Sequence, residues 1–368
     1  MPKIDLHRHL EGTIRPETIY ELSRRTAHNK PKYNLFELKL KMKVDGKEKR
    51  LIDFISKLGT KYMLEHTRSK DDIKRFTYEA CDDASKDNIL YLELRFCPSN
   101  YYRTPLTLEE FFDGVFEGAQ EAQRDLQIET NLIVAIKRED PLDLNLQIAQ
   151  TIIDYFQKGK IVGVDLCGNE PIYPARRYKD LFDIFHSHNI PISVHAGESK
   201  KKYDAKNIIE SIQLLHAQRI GHGTVAIKSE EALDIIRKNN ILLELCPTSN
   251  IHTKVIDSVE NHPVYKLKQK NVKFTVGTDD PVTSALTLSK EYSKLLKYHN
   301  FTIVDFKQFN IDAIHHAFIS KNNTGVLITK YKTAFEKWSE HLQDQDIYEF
   351  IYSVSSHDRD QIPFPGMS

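Results

Sequence analysis

The chain alternates short apolar runs with longer segments of helical periodicity. Several of the runs are apolar almost without interruption, as expected of strands buried on both faces. Eight runs predict strands: Ile4–His9, Ile89–Phe96, Asn131–Ile136, Ile161–Leu166, Ile190–His195, Arg219–His222, Ile241–Cys246 and Val272–Thr278. Between them, apolar residues at three- and four-residue spacing predict helices over Leu108–Asp125, Ile148–Phe156, Asp180–His188, Ile208–Leu215 and Glu230–Lys238.

The repeated order of strand and helix predicts an α/β fold with a parallel sheet. Eight strands favour a closed (β/α)8 TIM barrel, and an open doubly wound sheet is the second choice. The G-x-G-x-x-G fingerprint of dinucleotide-binding doubly wound sheets follows none of the runs.

Two regions add helices to this repeat. Residues 12–88 are too long for one crossover, so we expect several helices inserted after strand 1, forming a lid over the barrel mouth. Further helices are expected after strand 8. A single domain over residues 1–345 follows, with a polar C-terminal extension over 346–368. The closing helices are predicted at Leu286–Tyr298, Ile303–Ile319 and Asn323–Gln343.

The charge balance narrows the class of partner. The 368 residues carry 52 Lys plus Arg and 52 Asp plus Glu, a formal net charge of zero. This disfavours nucleic acid as a partner, although residues 30–50 are locally rich in lysine. No apolar run approaches the roughly 20 residues of a membrane span, and the amino terminus lacks a signal-peptide core, so we expect a cytoplasmic protein. Cys97, Cys167 and Cys246 end apolar runs and are expected to be buried thiols.

Polar clusters stand where four of the predicted strands stop. Strand 1 ends in His7-Arg8-His9, and residues two apart on a strand face the same side. In a barrel enzyme the carboxyl ends of the strands meet at one face. Any one of these residues alone is more simply a helix cap or a structural histidine. As a set they are expected to converge: His7, His9, His195, Glu198, His222, Asp279 and Asp280.

Three imidazoles and one carboxylate suit zinc and leave a position for water, whose pKa zinc lowers toward ~7. A further acid near the metal, such as Glu198, can be kept protonated and act as a general acid. The residues themselves thus predict metal-assisted hydrolysis of a small molecule and do not identify it.

Several motifs resemble those of the adenosine deaminase family of metal-dependent amidohydrolases. They occur in the family's order between residue 4 and about residue 300, and Leu92–Phe96 and Gly163–Gly168 also match family strand ends. The motifs that carry the resemblance are Ile4–Gly12 (IDLHRHLEG), Ser193–Glu198 (SVHAGE), Arg219–Gly223 (RIGHG), Leu245–Asn250 (LCPTSN) and Thr278–Pro281 (TDDP).

The resemblance implies a role for each site residue. One zinc ion per chain is implied, with ligands His7, His9, His195 and Asp279. Glu198 resembles the acid that protonates the purine ring, and His222 and Asp280 resemble the pair that orients and deprotonates the water. The implied substrate contacts are His9, Glu11, Gly168 and Asp280, where Gly168 gives a backbone N–H. Four apolar residues at helical spacing in the insertion resemble the apolar lid helix of the family, and plain core packing is the alternative. They are Leu51, Phe54, Ile55 and Leu58.

The implied reaction is hydrolysis of adenosine, and of 2′-deoxyadenosine, to inosine and ammonia in purine salvage. One departure from the family's pattern widens the choice of substrate. Glu11 stands where the family usually has an Asp that contacts the ribose 5′-hydroxyl. Alternative substrates are therefore adenine, an N6-modified AMP and aminodeoxyfutalosine. Gly221 favours the nucleoside, since the adenine-specific branch tends to have Asp there. A catalytically inactive binding relative is a remote alternative, because the catalytic residues are all present.

Overall fold

The computed structural model describes residues 1–26, 31–44, 53–54, 57–199 and 204–340. Its strands pair in parallel, in the order β1-β2-β3-β4 and β5-β6-β7-β8. They are β1 (Lys3–His9), β2 (Ile89–Phe96), β3 (Glu129–Lys137), β4 (Gly163–Cys167), β5 (Ser193–Ala196), β6 (Arg219–His222), β7 (Leu242–Leu245) and β8 (Phe274–Val276).

Backbone hydrogen bonds join these two sets of four strands at both edges. On one side, the Asp279 N–H donates to the His7 carbonyl at 2.9 Å, and the His9 N–H donates to the Asp279 carbonyl at 2.9 Å. On the other side, the Val164 N–H donates to the Pro191 carbonyl at 2.9 Å. The predicted closed barrel of eight parallel strands is therefore confirmed, and the open sheet is not adopted.

Helices follow the strands around the outside of the barrel. The predicted helices Leu108–Asp125 and Glu230–Lys238 have those bounds, and the ends of the others differ by up to six residues, except that the predicted end at Gln343 lies outside the described residues. In the described residues the α-helices are α1 (Pro16–Thr26), α2 (Leu35–Lys41), α3 (Thr60–His66), α4 (Lys70–Lys86), α5 (Leu108–Asp125), α6 (Leu142–Gln157), α7 (Lys179–Ser187), α8 (Asp204–Leu214), α9 (Glu230–Lys238), α10 (Pro247–His252), α11 (Val264–Gln269), α12 (Leu288–His299), α13 (Ile303–His316) and α14 (Lys321–Ser339).

Helix α5 shows how local sequence and core packing agree. Thr107 caps its amino end by accepting a hydrogen bond from the Glu110 N–H, and the Glu110 carboxylate bonds back to the Thr107 N–H. Phe112, on the inward stripe, lies with its ring centroid 5.2 Å from that of Phe96 on β2. The helix thereby buries its apolar face against the barrel wall. All four cysteines are buried, including the three predicted to be.

The interior of the barrel is charged as well as apolar. Five carboxylate and guanidinium side chains on its strands have no solvent-exposed surface and pair with one another, and buried charges are tolerated only when they are paired. These side chains are Glu93, Arg95, Asp165, Arg219 and Glu244. Their pairs lie directly beneath the polar clusters at the strand ends.

The insertion after β1 contains helices α1 to α4 and contacts the carboxyl-end face of the barrel. The Val44 N–H donates to the Thr283 carbonyl at 2.9 Å, and the Phe54 ring lies 6.1 Å from the His252 ring. Of the predicted lid residues, Phe54 is buried and Leu58 half-buried. Leu51, Ile55 and the extension 346–368 lie outside the described residues. No helix in the described ranges has the length and hydrophobicity needed to cross a membrane.

Candidate active site

Five side chains meet at the carboxyl ends of β1, β5, β6 and β8. Nε2 of His9 lies 3.1 Å from Nε2 of His195, and Oδ1 of Asp279 lies 3.3 Å from Nε2 of His7 and 3.4 Å from Nε2 of His9. The ligand-type atoms of His7, His195, His222 and Asp279 all lie within 4.8 Å of one another. The structure therefore gathers residues that are up to 272 positions apart in the sequence into one cluster.

The backbone at this cluster is strained where two of the strands end. His222 and Asp279 have φ angles of 62° and 61°, a left-handed conformation that is uncommon for residues other than glycine and that concentrates at functional sites. Gly221 on β6 has no side chain and so leaves room for the rings of His7 and His195. A Cβ atom at Gly221 would lie 3.0 Å from Cε1 of His7 and 3.2 Å from Cγ of His195.

Two of the histidines, His7 and His195, are held in the manner of metal ligands. Nδ1 of His7 lies 2.7 Å from Glu244, and Nδ1 of His195 lies 2.8 Å from Asp165. Metal-binding imidazoles typically bond a carboxylate through the ring nitrogen that faces away from the metal. Nε2 of His7 is buried and has no hydrogen-bond partner among the described residues. Three imidazole nitrogens and one carboxylate oxygen thus fit a divalent ion such as zinc.

Arg95 links the two carboxylates that hold these histidines. Its Nη1 lies 3.2 Å from Asp165 and its Nη2 lies 2.8 Å from Glu244. Burial would raise the pKa of Glu244, but Arg95 and Arg219 hold that pKa below its usual value. Glu244 therefore remains ionised and can accept a hydrogen bond from the ring behind it. Sequence reasoning gave these residues no role, although a charge within an apolar strand was the available signal.

Glu198 follows β5 in a turn that Glu170 fixes. The Glu170 carboxylate accepts hydrogen bonds from the N–H groups of Gly197 at 3.0 Å and Glu198 at 2.7 Å. Oε2 of Glu198 lies 3.6 Å from Nε2 of His222. Burial, together with the charges of Asp279 and Glu170, raises the pKa of Glu198 well above its usual value. The Glu198 carboxyl is thus suited to carry a proton at neutral pH.

Two glycines allow close packing at the mouth. A Cβ atom at Gly12 would lie 1.8 Å from Oδ1 of Asp280, so only glycine fits beside this carboxylate. Gly168, at the end of β4, has a φ of 102°, and a Cβ atom there would lie 2.3 Å from Oε2 of Glu139. Both positions bring backbone close to the mouth without a side chain in the way.

Glu11 is buried after β1 with one carboxylate oxygen bonded and the other free. Oε1 accepts hydrogen bonds from the Cys97 N–H at 2.9 Å and from Nδ2 of Asn100 at 2.8 Å. Nζ of Lys137 donates to Oδ1 of Asn100 at 2.5 Å, which turns the amide N–H toward Glu11. Oε2 of Glu11 has no hydrogen-bond partner within the described part of the chain. Glu11 therefore offers a buried acceptor.

Sequence comparison identifies close relatives. Residues 2–334 match the family model described as adenosine deaminase. The adenosine deaminase of Clostridium kluyveri is 34% identical over 91% of this chain and 94% of its own length. The adenosine deaminase of Clostridium acetobutylicum is also 34% identical, over 87% of this chain and 94% of its own length.

Solved structures with the same fold extend the comparison. An adenine deaminase from Arthrobacter aurescens superposes with a TM-score of 0.82 at 22% identity, covering 91% of this chain and 99% of that one. An amidohydrolase from Burkholderia ambifaria, solved with bound Zn, has a TM-score of 0.78 at 22% identity and covers 92% of each chain. An Arabidopsis N6-mAMP deaminase has a TM-score of 0.77 at 21% identity, covering 92% and 98%. At these identities the likeness shows a common fold.

Proposed function

Because the chain belongs to the adenosine deaminase family and is a hydrolytic deaminase, we propose that it converts adenosine and 2′-deoxyadenosine to inosine and ammonia in purine salvage. One observation carries the proposal above the others. A buried carboxyl whose pKa is raised, that of Glu198, faces the histidine and aspartate cluster in a chain 34% identical to adenosine deaminases.

The proposed cofactor is one zinc ion held by His7, His9, His195 and Asp279. The carboxylates behind His7 and His195 support this set, because they leave the Nε2 lone pairs directed at the centre. Zinc would supply Lewis-acid activation of water there. We expect about one zinc per purified chain. His9→Ala should lower the zinc content, and full zinc with a full rate in that variant would remove His9 from the ligand set.

The remaining site residues are proposed to donate a proton, to activate the water and to hold the substrate. Glu198 donates a proton to the purine nitrogen beside the carbon that bears the amino group. His222 and Asp280 act as a pair that orients the attacking water, and one of the two removes its proton. Gly168 gives its backbone N–H to the opposite ring nitrogen, and His9 and Asp280 also contact the substrate. The amino group then leaves as ammonia.

Glu11 supports a nucleoside substrate over the alternatives. Its free Oε2 is matched by a substrate hydroxyl, which can donate a hydrogen bond to it. A phosphate in the same place brings negative charge against the carboxylate, and adenine leaves the buried oxygen unpaired. Adenine remains the second candidate, since Glu replaces the family's usual Asp here and an adenine deaminase shares the fold.

The proposal is tested by product analysis. Protein loaded with zinc is incubated with adenosine, and inosine and ammonia are measured in the same sample. Equal amounts of the two products are expected. Protein that contains zinc but releases neither product would contradict adenosine as the substrate, and the same assay with adenine then tests the second candidate.

A further inference from the structure

A chain of hydrogen bonds runs from the backbone of α11 to the active-site face of β6. The Val264 N–H donates to Nδ1 of His262 at 3.3 Å, and Nε2 of His262 lies 3.1 Å from Oδ1 of Asn250. Nδ2 of Asn250 lies 3.1 Å from Nδ1 of His222. The three side chains are buried, so water does not compete for these bonds.

The backbone N–H of Val264, at one end of this chain of hydrogen bonds, fixes the direction of every bond in it. A backbone N–H can only donate, so Nδ1 of His262 accepts and the ring proton sits on Nε2. Burial, with a smaller effect of His299, lowers the pKa of His262 to about 3, which keeps this ring neutral. Its Nε2–H donates to the amide oxygen of Asn250. The amide N–H of Asn250 then donates to Nδ1 of His222.

A second contact adds strength to this chain without setting its direction. Oγ1 of Thr224 lies 2.7 Å from Oδ1 of Asn250. A hydroxyl can donate or accept, so Thr224 adapts to either orientation of the amide. The direction therefore comes from His262, which has a fixed donor behind it.

We propose that this chain of hydrogen bonds makes His222 a permanent hydrogen-bond donor in the active site. Its Nε2–H is directed at the reacting groups, and His222 is neither a metal ligand nor a base. The group behind each ring makes the difference. Behind His7 a carboxylate accepts the Nδ1 proton, and behind His195 another lies 2.8 Å from Nδ1, so that Nε2 of each ring presents a lone pair. An amide N–H behind His222 occupies Nδ1 and leaves the proton on Nε2.

The surroundings of Nε2 agree with a donor. This atom is buried, has no hydrogen-bond partner among the described residues, and faces carboxylate oxygens of Glu198 at 3.6 Å and Asp279 at 3.9 Å. Asn250 and His262 are then positioning residues that act through His222.

The proposed donor role refines the proposed function and rests on it. The water O–H bond breaks and its proton passes to the Asp280 carboxylate, while the water oxygen bonds to the purine carbon, the C=N π pair moves to the ring nitrogen and that nitrogen takes the Glu198 proton. The bond from this carbon to the amino group then breaks, the amino group takes the proton from Asp280 and leaves as ammonia, and the hydroxyl proton returns to Glu198 as the carbonyl forms. Oδ1 of Asp280 is buried and lacks a hydrogen-bond partner within the described ranges.

The tautomer of His222 can be measured without any substrate. The full-length protein is loaded with zinc and carries isotope-labelled histidine nitrogens, and the His222 signals are identified by their loss in His222→Gln. We expect an unprotonated Nδ1 and a protonated Nε2 in the nitrogen NMR spectrum. A protonated Nδ1, or metal coordination at Nε2, would overturn the inference. Absence of adenosine turnover by the unaltered protein overturns only the proposed function, so the two failures are distinguishable.

Asn250→Asp reverses only the last bond of this chain of hydrogen bonds, the one to His222, while keeping the shape of the side chain. The new carboxylate still accepts from His262 and Thr224, but it presents an acceptor to Nδ1 of His222, so the proton should move to Nδ1. We expect kcat for adenosine to fall about a hundredfold or more with little change in KM. An unchanged tautomer with unchanged kcat would overturn the inference. Asn131→Asp makes the same exchange at the amino end of β3 and should leave both unchanged.

A second variant tests the same inference if Asn250→Asp fails to fold. His262→Leu removes the fixed donor to Asn250 and leaves only the adaptable Thr224 hydroxyl. The amide can then take either orientation, so both tautomers of His222 should appear in the spectrum. A single Nε2–H tautomer in this variant would show that His262 does not set the direction.

Discussion

Replacing Arg95 tests how far the metal centre depends on the charges beneath it. Arg95→Met removes a buried guanidinium that lies 3.2 Å from Asp165 and 2.8 Å from Glu244 and that donates to the Leu6 carbonyl at 2.7 Å. The methionine fills most of the same space, so the main cost comes from two carboxylates left buried with less compensation. Removing one partner of a buried ion pair costs about 3–5 kcal/mol, and we expect the free energy of unfolding to fall by that amount.

The same change should weaken zinc binding, because Asp165 and Glu244 orient His195 and His7. Loss of such outer partners typically lowers metal affinity about 10- to 100-fold. Denaturant unfolding measures the stability, and competition with a chelator measures the affinity. Arg219→Met is the matched control: this buried arginine pairs with Glu93 and Glu244, and it should cost similar stability with a smaller loss of zinc affinity. Unaltered zinc affinity in Arg95→Met would refute the reasoning.

Three further predictions concern single side chains. Glu198→Gln should lower turnover by about 10²–10⁴-fold while zinc is retained, and a near-normal rate would remove Glu198 from the mechanism. Asn100→Asp replaces the donor to Glu11 with a carboxylate and should raise KM for adenosine about tenfold but hardly change it for 5′-deoxyadenosine; equal effects on both would refute the role of the free oxygen. Burial, with nearby lysines, lowers the pKa of His252 from 6.5 to about 4. The unfolded chain therefore binds the extra proton first, so the free energy of unfolding should fall as pH drops from 6.5 to 4. His252→Gln should flatten that slope in denaturant unfolding at several pH values, and an unchanged slope would assign it to other groups.

The barrel could be predicted because its strands are buried on both faces and read as continuous apolar runs. The ends of the strands were predicted less well. The run Ile190–His195 begins before β5 does, since Pro191 has no N–H to give to the ladder while Ile190 and Ile192 are still buried. An apolar run therefore includes buried residues that precede the hydrogen-bonded strand, so the run is longer than the strand.

The convergence of the four histidines and Asp279 could also be predicted, because the carboxyl ends of parallel strands meet at one face of the barrel. Their partners could not. Arg95 and Glu244 are 149 positions apart, and only the closed barrel brings them together. The direction of the bonds behind His222 depends on a backbone N–H at Val264, and no sequence pattern displays it. A charged residue in an otherwise apolar strand is the one signal that sequence offered for these partners.

The central claim is the preference for a nucleoside, and a substrate panel tests it most directly. The protein loaded with zinc is given adenosine, adenine and N6-methyl-AMP in turn, and the loss of the aminopurine absorbance gives kcat/KM for each. We expect kcat/KM for adenosine to exceed the other two by about tenfold or more, because only adenosine both donates a hydroxyl to Glu11 and brings no phosphate against it. Equal or faster turnover of adenine or of the nucleotide would contradict the account.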